Sequence, residues 1–438
     1  MTSACNNVTV VGLQWGDEGK GKIVDALASR CQYVARYCGG ANAGHTVTVE
    51  GQRFALHLIP SGILHAGVHN VIGNGVVFDP PTALDEMAKL RERGVKVGPE
   101  NLHISSAASI VMPYHKLQDR LSEAALGSGK IGTTARGIGP CYADKAARTT
   151  SLRMADLLDP AVLRQKLSFI IPYKNKVLGA LYAAEPLDLE AVFTEFAEYG
   201  RQLAPMVCDT GALLRKATAE GRSVCFEGGQ GSMLDIDHGT FPFVTSCAVT
   251  AAGVPSGAGV PPKAVGTVIG VMKSYTSRVG AGPFPTEQNN PIGDAIRTRG
   301  REFGTTTGRP RRIGWFDAVA VRYAAELSGA DEVALMLLMD GPGEVATWRI
   351  CTAYRYAGKT YTQFDPGLPL DKVECVYEDW PTWTAPIAAA RTFSQLPAEA
   401  QRYVARLEEL VGRPIGLISV GAGREQTICK TQRWQGLM

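Results

Sequence analysis

Gly16, Gly21 and Lys22 stand in the order Gly-x-x-x-x-Gly-Lys within WGDEGKGKIVDAL (15–27). That spacing suits a loop whose backbone N–H groups cradle phosphate. The residue that usually follows is Ser or Thr, whose hydroxyl holds Mg²⁺; here it is Ile23, which cannot ligate a metal. Asp17 lies inside the same loop. A carboxylate among phosphates is repelled unless a cation sits between them, so Asp17 can take over the Mg²⁺ role. It can also act as a base toward a substrate proton. The plain alternative is an acidic residue at a helix N-terminus, stabilised by the helix dipole.

Five further segments combine Gly, Thr, Asn, Arg and His with few core residues: CGGANAGHT (38–46), KIGTTARGIGP (130–140), FEGGQGSMLDIDHGTFPFVTS (226–246), SRVGAGPFPTE (277–287) and EFGTTTGRPRRIGW (302–315). Glycine lets backbone amides approach an anion closely, and Thr hydroxyls and Arg forks add charge-assisted bonds. One such loop is as easily a turn as a site. Five beside a phosphate-loop spacing point to a site that grips more than one anionic ligand. His45, flanked by small residues and Asn42, can donate to developing charge or be an ordinary surface histidine. His238, between Asp235 and Asp237, reads as a hydrogen-bonded structural histidine. Arg309, Arg311 and Arg312 end a Gly/Thr loop, which favours anion capture over a merely solvated face; Arg148 is a weaker candidate of the same kind.

These segments need a scaffold, and the sequence supplies an α/β one. VTVVGL (8–13) reads as a buried strand and GKIVDALASR as the helix after the glycine turn, the context a phosphate loop requires. NVIGNGVVF, SVCFEGG, AVGTVIGVM, EVALMLLM and IGLISVG read as further buried strands. TALDEMAKLRERG begins on a Thr82-x-x-Asp85 capping pattern and stops at Gly94. PAEAQRYVARLEELVG carries Ala400, Tyr403, Val404, Leu407 and Val411 on one stripe and stops at Gly412. This alternation predicts a large, mostly parallel central sheet flanked by helices, of the phosphate-loop NTPase kind, with a small β-hairpin region near 346–363 turning at Ala357-Gly358. No repeat, low-complexity tract or linker divides the chain, so residues 1–438 are expected to form a single domain.

The net charge of +3 gives no bulk attraction for nucleic acid or a membrane surface. The ten cysteines contain no C-x-x-C pair and read mostly as small core residues. The N-terminus has no basic start followed by a long apolar run, and no stretch is long and apolar enough to span a bilayer. A reducing, cytoplasmic setting is the expectation.

In order along the chain, QWGDEGKGK, GGANAGHT, IGTTARGIGP, FEGGQGSMLDIDHGTFPFVTS, VGAGPFPTE and FGTTTGRPRRIGW resemble adenylosuccinate synthetase over nearly the whole length. The resemblance implies a homodimeric ligase of purine (AMP) biosynthesis that joins L-aspartate to IMP with GTP and Mg²⁺, through 6-phosphoryl-IMP. It implies that Asp17 takes the N1 proton of IMP and binds Mg²⁺ together with the Gly44 carbonyl, and that His45 stabilises charge on the 6-oxygen and the leaving phosphate. Gly16, Asp17, Glu18, Gly19, Lys20, Gly21 and Lys22, with Gly44, His45, Thr46, Arg311, Ser419, Val420 and Gly421, would contact GTP. Asp17, Lys20, Asn42, His45, Thr134, Gln230, Thr245 and Arg309 would contact IMP, and Arg148 would reach it from the partner subunit. Thr305, Thr306, Thr307, Arg309 and Arg311 would form the aspartate loop.

The resemblance lapses on the guanine side. Where the family carries Lys-Leu-Asp after a late strand, an ungapped count from RRIGW reaches Leu337, Leu338 and Met339; a shift of one residue brings in Asp340 without a lysine. Ala422 and Gly423 also replace bulkier polar residues. Weakened guanine selectivity is therefore expected. A related ligase using ATP, or another 6-oxopurine nucleotide, is the alternative. A nucleotide-binding NTPase without ligase activity is a further one, disfavoured by the 226–246 and 302–315 segments.

Overall fold

The computed structural model describes residues 7–49, 51–303, 310–339 and 347–434. Ten strands form the central sheet, in the order Thr427–Cys429, Ile415–Ser419, Glu332–Met336, Thr267–Lys273, Val8–Gly12, Val224–Gly231, Tyr33–Arg36, His69–Ile72, Leu102–Ser105 and Val207–Cys208. Every neighbouring pair is parallel except the edge pair Ile415–Ser419 with Thr427–Cys429. A parallel sheet covered on both faces needs continuous apolar strands. Val10, Val11, Ile269, Val271, Val333 and Leu335 are accordingly fully buried.

The chain's chemistry is gathered by this topology. The glycine-rich segments after Gly12, Arg36, Glu227, Lys273 and Ser419 all leave the C-terminal ends of parallel strands, the edge on which open α/β sheets bind ligands. Val8–Gly12 is central, so its loop is flanked by loops from both halves of the sheet.

Most predicted elements are present, with three differences. NVIGNGVVF is not one strand: it divides into His69–Ile72 in the main sheet and Val77–Phe78, which pairs with Ser109–Ile110. The intervening Gly75 explains the break, because a Cβ there would meet the Tyr37 carbonyl at 2.1 Å. The helix predicted from Thr82 starts at Pro80 with Asp79 at the cap, and the Thr82 hydroxyl donates to Asp79 at 2.7 Å. Proline suits the first turn because its missing N–H has no partner to lose there. EVALMLLM is strand only through Met336; Leu337 takes φ 52° and turns the chain away.

The hairpin Thr347–Tyr356 with Lys359–Tyr361 is present, turning at Ala357 (φ 48°) and Gly358 (φ 76°). Two more strands join it: Glu374–Pro381, antiparallel, and Phe316–Asp317, parallel. Glu374–Pro381 is half exposed and mixes Cys375, Val376, Tyr377 and Trp380 with acidic residues without strict alternation, so its pattern did not read as a strand. Helix Ala398–Val411 buries the predicted stripe and ends at Gly412 in the left-handed region.

Among the side chains that dock helix Ile138–Ala147, Tyr142 ties it to the ends of two strands of the main sheet. The Tyr142 hydroxyl donates to the Gly75 carbonyl at 2.7 Å and accepts from the Gly39 amide at 3.0 Å. Tyr142→Phe leaves that buried amide without a partner and is expected to cost about 1–3 kcal/mol. Urea denaturation of the purified variant checks this; an unchanged midpoint and slope would mean the hydroxyl does not anchor the helix.

Candidate functional site

The phosphate loop is built from left-handed backbone. Gly16 (φ 89°), Asp17 (φ 57°) and Gly19 (φ 92°) adopt it within four positions, and helix Lys20–Ala28 starts immediately after. Asp17 is a non-glycine residue in that region, a conformation kept only where the surroundings impose it. The imposing group is Glu18. Its fully buried carboxylate accepts from the Gln14 amide at 3.1 Å, the Gly16 amide at 2.9 Å and the Lys20 ammonium at 2.5 Å. Burial pushes the Glu18 carboxyl up, but the Lys20 charge and these hydrogen bonds outweigh it and hold the group ionised below its usual range. Glu18 therefore shapes the loop from inside, and its side chain is turned away from any ligand surface.

Asp17 faces outward and pairs with Arg311, Nε to Oδ2 at 2.7 Å. Arg311 in turn donates to Glu302 at 2.7 Å. Glu302 is buried with Lys273 at 2.5 Å and Tyr275, so a chain of alternating charges runs from the core to the phosphate loop. Burial opposes the ionised Glu302, and the Lys273 and Arg311 charges overcome it.

His45 packs over the first turn of helix Lys20–Ala28; a Cβ placed on Gly21 would lie 3.2 Å from the His45 Cβ. Its Nδ1 is bonded to Glu227, and its buried Nε2 has no partner. Asn42 Oδ1 accepts from the Gly40 amide and from Gln230 Nε2, both at 3.1 Å, leaving the buried Gln230 Oε1 unpartnered. Both atoms have hydrogen-bonding capacity left open to a ligand.

Lys22 reaches across to the loop after Ile415–Ser419. Its ammonium donates to Ser419 Oγ at 2.8 Å and to the Gly421 and Gln426 carbonyls at 2.9 and 3.2 Å, and burial brings its pKa down to about 8. The Val420 amide donates to Gln426, closing the same loop. Thr46 lies beside His45 on strand His45–Val49, and Gly44 is exposed with open space around it.

The geometry thus brings together Asp17, Lys20, Lys22, Asn42, His45, Gln230, Arg311, Ser419 and Gly421. Thr245 is half-buried, with its amide on the Leu234 carbonyl. Thr134 is exposed on a loop whose Ile131 and Gly132 amides are held by Glu123 at 3.1 and 3.0 Å. Arg148 is exposed at the end of helix Ile138–Ala147 with φ 71°. Thr305, Thr306, Thr307, Arg309 and Asp340 lie outside the described residues. His238 departs from expectation: its imidazole is exposed, and its backbone amide makes the bond to Asp235, at 3.2 Å.

Glu227, Ser61, Arg36, Lys273, Tyr275 and Glu302 were not singled out by the sequence reading, yet they support the site. Glu227 carried a usable signal, a carboxylate inside the apolar run VCFEGG. Glu302 opened the 302–315 segment, but apart from Arg311 its partners Lys273 and Tyr275 lie far away in sequence.

Three main-chain groups just after Glu332–Met336 are already bonded. The Leu338 amide donates to the Ser419 carbonyl at 3.0 Å, Ser274 Oγ donates to the Leu337 carbonyl at 2.7 Å, and Trp383 Nε1 donates to the Met339 carbonyl at 2.9 Å. Leu338 is buried and the side chains of Leu337 and Met339 pack on the core.

Comparison with known proteins agrees with this arrangement. Residues 9–428 match the family model described as adenylosuccinate synthetase. The chain is 50% identical over 424 residues to adenylosuccinate synthetases of an Exiguobacterium species and of Heliobacterium modesticaldum, covering 97% of this chain and 98% of each relative. The fully ligated adenylosuccinate synthetase of Plasmodium falciparum superposes with a TM-score of 0.89 at 36% identity, covering 97% of this chain and 100% of that one. The succinoaminodeoxyadenylate synthetase of cyanophage S-2L, 20% identical with a TM-score of 0.62, shares the fold. The phosphate loop with its internal aspartate, the sheet edge that gathers the other loops and the extent of these matches establish one conclusion: the chain belongs to the adenylosuccinate synthetase family, GTP-dependent C–N ligases that join aspartate to IMP.

Proposed function

We propose that in this chain Asp17 is the proton acceptor and His45 the charge-neutralising group of the ligation. The observation that carries this reading is the left-handed Asp17 of the phosphate loop, with an imidazole packed on the helix that follows it whose Nε2 is buried and unpartnered. Asp17 takes the N1 proton of IMP, so that negative charge develops on the 6-oxygen. That oxygen attacks the γ-phosphorus of GTP and GDP departs, leaving 6-phosphoryl-IMP. The amine of L-aspartate then adds at C6 and phosphate leaves with the C6–O bond. His45 faces the charge on the 6-oxygen and the transferred phosphoryl group. Lys20 and the loop amides hold phosphate; Asn42, Gln230, Thr134 and Thr245 hold IMP. Thr305, Thr306, Thr307, Arg309 and Arg311 receive aspartate.

Asp17 and the Gly44 carbonyl fit Mg²⁺. Asp17 is an oxygen donor within the phosphate loop, and Gly44 precedes His45, which packs on the first turn of the helix after that loop; the described residues contain no group of three or more His, Cys, Asp or Glu side chains that could form a dedicated cage. Mg²⁺ is commonly held by one or two protein oxygens plus substrate phosphates, and when bound it neutralises phosphate charge. A cytoplasmic setting accords with the absence, among the described residues, of a helix long and apolar enough to cross a membrane.

Asp17→Asn keeps the shape and removes the basicity. Adenylosuccinate formation is expected to fall by about 10²–10⁴-fold, the scale of lost general-base catalysis, while IMP still binds. Turnover within tenfold of the unsubstituted enzyme would remove Asp17 from the role.

Arg148 is exposed at the C-terminal cap of helix Ile138–Ala147, at φ 71°, which suits an arginine that completes the IMP site of the partner in a homodimer. Arg148→Leu and Asp17→Asn enzymes are each expected to be inactive alone and to regain activity on mixing, because a hybrid dimer holds one intact site. No recovery after subunit exchange would place Arg148 in its own subunit's site or outside the chemistry.

A second reading, relaxed donor choice, is favoured by the Leu337–Met339 segment, whose side chains pack on the core and whose Leu337 and Met339 carbonyls are already bonded, so none of the three offers a charged partner to a base. A charged hydrogen-bond pair to guanine would contribute on the order of 2–4 kcal/mol of base discrimination. With IMP, aspartate and Mg²⁺ present, ATP is expected to support measurable turnover alongside GTP. Strict dependence on GTP would reject this reading and direct attention to Asp340.

A further inference from the structure

Glu227 lies in the last apolar stretch of strand Val224–Gly231, where it is fully buried. An ionised carboxylate there is unfavourable unless its oxygens are satisfied. Three donors satisfy it: His45 Nδ1, the Ser61 amide at 2.9 Å and the Ser61 hydroxyl at 2.8 Å. Burial pushes the Glu227 carboxyl up, and the His45 and Arg36 charges and the Ser61 amide more than offset this, so the group is held ionised. Arg36 is itself fixed by the His57 and Gly40 carbonyls, so it adds positive potential behind the carboxylate without bonding it.

A carboxylate accepts only, so Nδ1 of His45 must carry the proton. Nε2 then carries a hydrogen only in the imidazolium form. The other charged or titratable groups around the pair are Arg36, His57 and Arg136, the buried Cys225, and Lys20 and Lys22 on the helix beneath the ring. Lys20 is neutralised by Glu18. Glu227 is the carboxylate bonded to the ring.

We propose that Glu227 is the positioning residue for His45: by accepting from Nδ1 it fixes the tautomer and holds the ring so that Nε2 is left for the ligand site. The proposal rests on the reading of His45 as the charge-neutralising group. Removing the acceptor frees the ring to rotate and to take the other tautomer, so the loss falls on turnover rather than on IMP binding.

The test compares Glu227→Gln, Glu227→Asp and Ser61→Ala as full-length enzymes, with His45→Asn as reference. Glu227→Gln is expected to lower kcat by about 10–100-fold, the scale on which orienting partners act, with KM for IMP little changed. Glu227→Asp, which keeps a carboxylate acceptor, should recover part of that loss. Ser61→Ala, which removes one neutral donor, should show a smaller change and guards against a folding defect in the first variant. The imidazole ¹⁵N resonances, assigned to His45 by their loss in His45→Asn, are expected to report the proton on Nδ1 in the unsubstituted enzyme and an altered tautomer distribution in Glu227→Gln. Unchanged ¹⁵N shifts overturn the pairing itself. Altered shifts with unchanged kcat overturn its catalytic part, and unimpaired turnover in His45→Asn shows that the underlying reading of His45 has failed instead.

Discussion

The buried carboxylate of Glu18 is the constraint on which the site depends. A phosphate loop must turn its backbone amides toward an anion, and a chain without its ligand has no anion to turn them toward. Glu18 supplies one from inside the protein. By accepting from the Gln14 and Gly16 amides and from Lys20, it organises the loop before nucleotide arrives. Its inward course also determines its neighbour's. With Glu18 facing the core and Gly16 and Gly19 in left-handed conformations, Asp17 is left facing outward. The pairing offsets a desolvation cost that would otherwise keep a buried carboxyl neutral.

A register irregularity sets the second side of the site. Val10 stands opposite Glu227, but Gly12 stands opposite Gly231, so Gly228, Gly229 and Gln230 are looped out against Val11 alone. Such an excess bends a strand and redirects side chains. It places Gln230 beside Asn42 while Glu227, still in register, remains beneath His45. The glycines are required by proximity: a Cβ on Gly228 would lie 2.8 Å from the Val10 carbonyl, and one on Gly231 would lie 2.2 Å from that of Gln14. The segment is thus a device for passing close beneath the phosphate loop while presenting one amide side chain to a ligand.

Features that depend on local chemistry were legible in the sequence. The phosphate-loop spacing, the strand before it, the helix after it and the apolar stripe of 398–411 all rest on residues close together in the chain. Features that depend on long-range pairing were not. Glu302 is recognisable as part of the site only once Lys273 and Tyr275 lie against it, and Ser61 only once the loop before it folds under Glu227. His238 shows the reverse error. Adjacent acidic residues suggested a bonded imidazole, but Asp235 is occupied by backbone amides, including that of Val249 at 2.7 Å. Short polar side chains in turns commonly bond nearby backbone in this way, and a residue string does not reveal which atom of a neighbour is used.

The nucleotide end of the site follows a different economy from the IMP end. Around Asp17, His45 and Gln230, unpaired buried atoms and alternating charges remain available to a ligand. At Leu337–Met339 the same kind of strand end is closed by Ser274, Ser419 and Trp383, and its side chains belong to the core. What remains accessible there is the Ser419–Gln426 loop, tied to the phosphate loop through Lys22 and to helix Lys20–Ala28 through the Arg424–Asp25 pair at 2.6 Å. The two loops therefore form one connected unit, with Lys22 as the link: burial brings it down to about 8, and its donors are spent on Ser419, Gly421 and Gln426. Under the proposed site assignment a donor nucleotide meets that lysine whatever its base, so the phosphates carry much of the recognition at this end, and base identity is left to the few polar groups of the chain that the core has not already used.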